Sequence, residues 1–488
     1  MLEKLAKQTA VYGISTILGR FLSYMLTPFY TRVFLPGEYG IITDVYALIP
    51  FIMTLLTLGM ESSYFRFAAK AEAAGGDVAE AKKRLFATTW GITSLAAVLF
   101  FAVTVLFDTP VSRLLGPAYV AHPQYVLLLG GIVALDVICC IPFSRLREQG
   151  RAMHFVLLKL LNIIMQVGFA LIFWALGLLE TDFGVGWVLV SNLMASAGTL
   201  VLVLMTTRAV APRIDRVLLS AIFVYSLPLL ISGLAGTANE FIDRQLIKYL
   251  VPVDSMSELG IYGAIVKIGV VMTLFTQMYR LAAEPFFLSN FRKEQFVEMN
   301  AAALKYFIAV SIGISLGIIL YKDLFVLIVG ESYRTGVSIL PVVLAGNLLC
   351  GVWLNLSFWY KREERTSLAL WITLTGLAVS VAAGFVLVPR WGYHGAAWGR
   401  FCSEAAMVAV SYALNRRFFP TPYDLRGIAF YVVLGAAVFV AGDVVATKYL
   451  TAAWRYSVDA LLLAAYGACL LKREKINIAE AVKQRFGR

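Results

Sequence analysis

Four basic side chains, Arg20, Lys159, Lys267 and Arg400, fall inside long apolar stretches of the sequence, and Arg66 and Arg244 fall just beside two others. A basic residue at the centre of a bilayer costs about 2.5–3.5 kcal/mol on insertion scales. Each must therefore face a wet cavity, find an acidic partner or snorkel to an interface. An arginine offers a rigid fork to phosphate or carboxylate oxygens, and a lysine a point charge. A group of them in one cavity suits an anionic substrate. Four acids in the same regions, Glu61, Glu240, Asp243 and Glu404, are candidates to carry a coupling proton or sodium ion. This constellation binds and moves charge; it does not have the make-up of a catalytic centre.

Spacing sorts these residues. Gly13, Thr16, Arg20, Tyr24, Thr27 and Thr31 recur at three and four, which draws one polar stripe along a helix. Lys159, Asn162 and Gln166 share a face, as do Ser226, Gly233, Thr237, Glu240 and Arg244, with Pro228 able to kink that helix. Gly263, Lys267, Gln277 and Glu284 make a fourth stripe. Arg20 has no acid one turn away on either side, and neither does Lys267. Arg244 adjoins Asp243, so the two are expected on different faces, leaving Arg244 free. Simpler accounts compete elsewhere. Arg400 and Glu404 stand one turn apart and can neutralise each other, Lys159 can snorkel, Glu61 and Arg66 can pair at a helix end, and Asp136 beside Cys139 and Cys140 can be a satisfied interhelical contact.

The elements that would position these residues follow from composition. The chain has 488 residues, 60% hydrophobic and 15% charged, with a mean hydropathy of +0.78. That composition excludes an ordinary soluble domain and intrinsic disorder, and at about 20 residues per span it describes an all-α polytopic membrane protein. Apolar stretches at 10–32, 41–61, 85–107, 125–142, 155–179, 184–205, 219–238, 259–279, 301–320, 337–360, 367–388, 393–414, 425–445 and 455–471 predict about fourteen transmembrane helices. The seventh is expected to close at Glu240-Phe241-Ile242-Asp243-Arg244. Residues 1–13 lack the apolar core and cleavage site of a signal peptide and lead straight into the first span.

The net charge of +12 would suggest nucleic acid in a soluble protein. Here its distribution is topological. Of 42 Lys and Arg, 29 fall on one set of alternate segments, 9 on the other and 4 within spans. The positive-inside rule then places both termini in the cytoplasm. The five cysteines lie in apolar runs without metal-ligand spacing, the three histidines are scattered, and no phosphate loop or nucleophile elbow occurs. No metal and no cofactor are expected.

An internal repeat organises the chain. Arg32-Val-Phe-Leu-Pro-Gly-Glu-Tyr-Gly-Ile41 is echoed by Lys248-Tyr-Leu-Val-Pro and, after a short insertion, Glu258-Leu-Gly-Ile261. Ser-Arg-Leu-Arg147-Glu148-Gln-Gly-Arg151 is echoed by Trp-Tyr-Lys-Arg362-Glu363-Glu-Arg365, and Phe-Gly184-Val-Gly186-Trp by Trp-Gly392-Tyr-His-Gly395-Ala-Ala-Trp. Three matches in order predict two parallel six-helix lobes, 1–216 and 217–420, with helices 13 and 14 at 421–471 and a basic tail at 472–488. In transporters built from such repeats the substrate site lies between them.

Gly19-Arg20, Phe34-Leu-Pro-Gly-Glu-Tyr-Gly40, Gly59-Met-Glu61 with Arg66, Leu227-Pro-Leu with Asp243-Arg244, Gly260-Ile-Tyr-Gly263 and Val388-Pro with Gly392-Tyr-His-Gly395-Ala-Ala span nearly the whole chain. Together they resemble the polysaccharide or O-antigen-type lipid-linked oligosaccharide flippases of the multidrug/oligosaccharidyl-lipid/polysaccharide superfamily. The resemblance implies a V-shaped bundle of two lobes in a bacterial inner membrane, alternating between inward-open and outward-open states. It implies a polyprenyl-pyrophosphate-linked oligosaccharide as substrate, flipped through a cationic cavity from the cytoplasmic to the outer leaflet. Arg20, Arg66 and Arg244 become the candidate pyrophosphate or acidic-sugar contacts. Lys267 and Lys159 join them from the polar stripes, and Arg400 as a base within a span. The expected partners are that substrate, membrane lipid, a coupling proton or sodium ion and other polysaccharide-assembly membrane proteins, with no nucleic acid. A cation-coupled multidrug exporter of the same superfamily is the first alternative, although such exporters usually have twelve helices and fewer cavity bases. A membrane polymerase or ligase is the second, although neither a sizeable outer loop nor a facing acid–base pair is visible.

Overall fold

A computed structural model describes residues 24–207, 211–291, 295–365 and 367–475. Its elements are helices throughout, with no strand among the described residues. In chain order they are α1 (24–33), α2 (Pro36–Leu56), α3 (Met60–Ala74), α4 (Val78–Leu106), α5 (Asp108–Leu115), α6 (Pro117–Ala121), α7 (Gln124–Glu148), α8 (Ala152–Ala175), α9 (Gly184–Thr207) and α10 (Arg216–Leu250). Then follow α11 (Ser255–Ile268), α12 (Val270–Asn290), α13 (Phe296–Leu320), α14 (Lys322–Phe325), α15 (Leu340–Arg362), α16 (Ser367–Trp391), α17 (Tyr393–Phe418), α18 (Leu425–Phe439), α19 (Thr447–Tyr449) and α20 (Ala452–Arg473).

Ten helices among the described residues are long and apolar enough to cross a membrane, or eleven if α11 and α12, bent by 49° at their junction, form one span. Of the fourteen expected spans, the first falls mostly outside the described residues. Those at 393–414 and 455–471 are the helices α17 and α20, which are long enough but more polar, with Glu404 and Asp459 buried on them. Large apolar side chains such as Leu157, Ile164, Val201 and Met205 are exposed, as lipid-facing positions require.

The seventh span departs from expectation. α10 does not close at Glu240–Arg244 but runs on to Leu250, 35 residues in all, with Pro228 inside it. The charges that read as a helix end are instead satisfied within the helix and by its neighbours. Arg244 donates back to the Glu240 carbonyl (2.7 Å), and the Tyr262 hydroxyl donates to Asp243 (2.5 Å).

By packing, the chain divides into two compact units, Met1–Ala264 with Ala369–Gly399, and Ile265–Leu368 with Arg400–Arg488. In the first unit the glycine motifs make contacts. α2 starts with Pro36 at its first turn, and Glu38 accepts the Leu35 backbone N–H (2.8 Å). A Cβ on Gly40 would lie 1.9 Å from the Met256 carbonyl oxygen, and one on Gly260 2.0 Å from that of Pro36, so α2 and α11 cross with their backbones touching. Glu258 then accepts the Tyr393 backbone N–H (2.8 Å) at the start of α17. Three of the quoted motifs are thus one junction.

In the second unit, α13, α18 and α20 are tied at both ends. Glu474 accepts from Lys305 (2.7 Å) and Tyr431 (2.8 Å). Burial alone would raise this carboxyl, but those hydrogen bonds outweigh it and hold it below its ordinary value. At the far end Lys322 pairs with Asp443 (2.6 Å) and Arg455 with Asp323 (2.7 Å), where a π-helical segment, Val440–Ala446, carries Asp443.

Candidate functional site

The first unit holds two carboxylate-centred clusters at opposite ends of α10. The starts of α4 and α10 meet the end of α7 at what we term the basic end. There Lys82 pairs with Glu148 (2.5 Å) and Glu72, Arg84 pairs with Asp215, and Arg213 donates its backbone N–H to Ala87 (3.1 Å). Near it, Glu61 on α3 accepts from Arg147 Nη2 (3.1 Å) and Cys140 Sγ (2.7 Å), both on α7. The Glu61–Arg66 pair, the simpler account of these two charges, does not form, because Arg66 turns to α10 and lies over the Tyr225 ring, 3.9 Å from its centroid. Arg66 is exposed, so an aromatic shelf holds its guanidinium while the edges stay open to an oxyanion.

At the other end of α10, Asp44 is fully buried and accepts three hydrogen bonds, from Lys248 (2.6 Å), Tyr119 (2.7 Å) and Gln245 (2.8 Å). Burial and then the Asp44 charge hold the Tyr119 phenol well above its ordinary value, so it keeps its proton and serves as a hydrogen-bond donor. Sequence reasoning missed this cluster. The available signal was Asp44 near the start of the apolar stretch 41–61, with its lysine partner 204 positions on.

The remaining sequence candidates separate. Arg20 lies outside the described residues. Asp243 is buried, accepts from Tyr262 and pairs with Arg244 Nη1 (3.0 Å). Arg244 is therefore engaged rather than free. Adjacent helical residues leave on different faces, but the arginine is long enough to fold back around the backbone. The Glu240 side chain is exposed on the same helix. Lys159 is exposed on α8 with its ammonium 4.3 Å from the centre of the Phe143 ring, and Asp136 is half-buried on α7. In the second unit Lys267 and Arg400 are half-buried, and Glu404 is buried one turn along α17 from Arg400. Among the described residues no group of three or more His, Cys, Asp and Glu is placed to hold a metal ion.

Comparison with known proteins now bears on this arrangement. Residues 5–291 match the family model described as polysaccharide biosynthesis protein. No curated protein sequence matches. Among solved structures, the fold is similar to that of the lipid II flippase MurJ in an inward closed conformation (TM-score 0.74, 11% identity, covering 96% of this chain and 100% of that one). It is similar to an inward-facing multidrug resistance transporter of the MATE family (0.67, 14%, 88% and 99%). A transporter of the same superfamily from Pyrococcus furiosus is also similar (0.54, 14%, 84% and 95%). At these identities the likeness is one of fold. The chain is a multi-pass helical membrane protein on the fold of the multidrug/oligosaccharidyl-lipid/polysaccharide superfamily, and it belongs to the polysaccharide biosynthesis protein family.

Proposed function

We propose that the protein is a flippase that moves polyprenyl-pyrophosphate-linked oligosaccharide repeat units from the cytoplasmic to the outer leaflet of a bacterial inner membrane. The observation that carries this reading is the family match over 5–291. The fold of the flippase and exporter structures agrees with it. On this reading two six-helix lobes, 1–216 and 217–420, alternate around a cationic cavity, and both termini are cytoplasmic. Arg20 and Arg66 meet the pyrophosphate, with Arg244, Lys267, Lys159 and Arg400 adding positive charge. Glu61, Glu240, Asp243 and Glu404 are the groups available to a coupling ion. The exposed Arg66 guanidinium on its Tyr225 shelf supports the assignment, since a diphosphate carries about two negative charges and favours a forked donor.

The test is translocation of a labelled polyprenyl-pyrophosphate-linked oligosaccharide in proteoliposomes. Wild type should transport it, and Arg20→Ala and Arg66→Ala should each lower the rate about tenfold or more with insertion unchanged, as loss of a charge-assisted contact would. Dye efflux without movement of the sugar lipid would make the protein a multidrug exporter. Glycosyl transfer by the purified protein would make it an enzyme.

A further inference from the structure

At the ends of α7 and α9 and the start of α8 lies a cavity of about 560 Å³, lined by Arg145, Gln149, Arg151, Met205, Thr206 and Thr207. Two arginines line it, and no acid among the described residues does. The nearest acid in sequence, Glu148, pairs with Lys82. The two arginines differ in what they already hold. Arg151 donates Nη1 to the Thr206 carbonyl (2.9 Å), which caps the C-terminal turn of α9. Arg145 lies over the Phe86 ring, 4.5 Å from its centroid, and its Nη1 is buried with no hydrogen-bond partner among the described residues. Capping therefore accounts for Arg151 and leaves Arg145 unexplained. A buried guanidinium N–H without an acceptor is a costly arrangement unless a ligand supplies one.

We propose that this cavity binds the phosphate headgroup of an anionic membrane phospholipid. The charge calls for an oxyanion, and basic pockets between membrane helices take lipid phosphates. Its size leaves room for more than a free ion. The cavity falls within the range of small-molecule sites and is far larger than one phosphate, but it suits a glycerophosphate head. The surroundings agree. Met205, which lines the cavity, is 72% exposed, and Val201, one turn earlier on the same face of α9, is 57% exposed. An acyl chain can follow that stripe while the phosphate meets Arg145. The site is made within the first unit and does not depend on what the protein transports.

Titration of the full-length detergent-purified protein with short-chain phosphatidylglycerol tests this directly. Wild type should bind it well above phosphatidylcholine of the same chain length. Arg145→Gln should weaken binding roughly five- to tenfold, the share of one basic group near a lipid phosphate. Gln149→Glu puts a negative charge at an exposed lining position, where folding is not at stake, and should weaken it similarly. Should Arg145→Gln not fold, Gln149→Glu decides the question. Equal affinity of wild type and Gln149→Glu, or equal binding of the two lipids, would overturn the proposal. So would glycerol phosphate binding as tightly as phosphatidylglycerol, since the site would then take free phosphoesters.

Discussion

The two ends of α10 solve one problem in opposite ways. At the Lys248 end Asp44 is sealed from solvent and has three donors, so its charge is fixed and fully answered. At the basic end Glu61 is 46% exposed on its side chain and has one arginine and one thiol, and the neighbouring Arg66 has turned to a ring. A sealed pair cannot exchange partners without unfolding its surroundings. An open pair can trade Arg147 for water, an ion or a substrate oxygen at little cost, because exposed ion pairs contribute only about 0–1 kcal/mol. Functional chemistry is therefore expected where the charges are loosely held, and structural duty where they are complete.

Breaking the sealed cluster should have the largest effect. Removing one partner of a buried pair leaves the other charged and alone, at a cost of about 3–5 kcal/mol. Lys248→Ala or Asp44→Ala should lower the thermal unfolding midpoint of the purified protein sharply. The double change Asp44→Leu with Lys248→Met should lose less than either single change, because it removes both charges together. An unshifted midpoint in Lys248→Ala would mean that the pair contributes nothing and that the contrast between the ends is false.

The same contrast explains what the sequence disclosed. Apolar length and alternating loop charge made the helices and the polytopic class legible, since a span must be continuous and apolar to be stable in lipid. The end of α10 was hidden because charges at Glu240–Arg244 read as an interface. Only the fold supplies Tyr262, the partner that lets Asp243 stay buried in the helix. Asp44 was hidden for a related reason: one acid in an apolar run does not name a lysine 204 positions away. Gly40, Gly260 and Gly392 were legible as motifs, but what they do is close a helix junction rather than meet a ligand. For the candidate site, the sequence names Arg66 by its place beside a span but not its aromatic shelf, because Tyr225 is far along the chain.

A smaller effect is expected at the open end. Arg147→Ala should change stability by no more than about 1 kcal/mol, given that both partners are substantially exposed. It should still alter transport in the proteoliposome assay, because Glu61 would lose its arginine and keep only Cys140. A midpoint shift as large as that of Lys248→Ala would place Glu61 with the structural pairs.

The smallest effect should come from Asp215, whose partners are two backbone N–H groups and an exposed arginine. It accepts the backbone N–H groups of Leu218 (3.2 Å) and Val217 (3.1 Å) at the start of α10 and pairs with Arg84. The Leu218 hydrogen bond first, and then Arg84, hold its carboxyl below the ordinary value of 3.8. A carboxyl with a depressed value in the folded state binds its proton more weakly there than in the unfolded chain. Its contribution to stability is therefore complete above the ordinary value and is lost as pH falls through the folded one. Asp215→Asn keeps a capping side chain and removes the charge. The gap in unfolding midpoint between wild type and Asp215→Asn should be constant near neutral pH and should close only under strong acid. A gap that closes well above the ordinary value would mean that another group, and not the capping carboxylate, governs this end of α10.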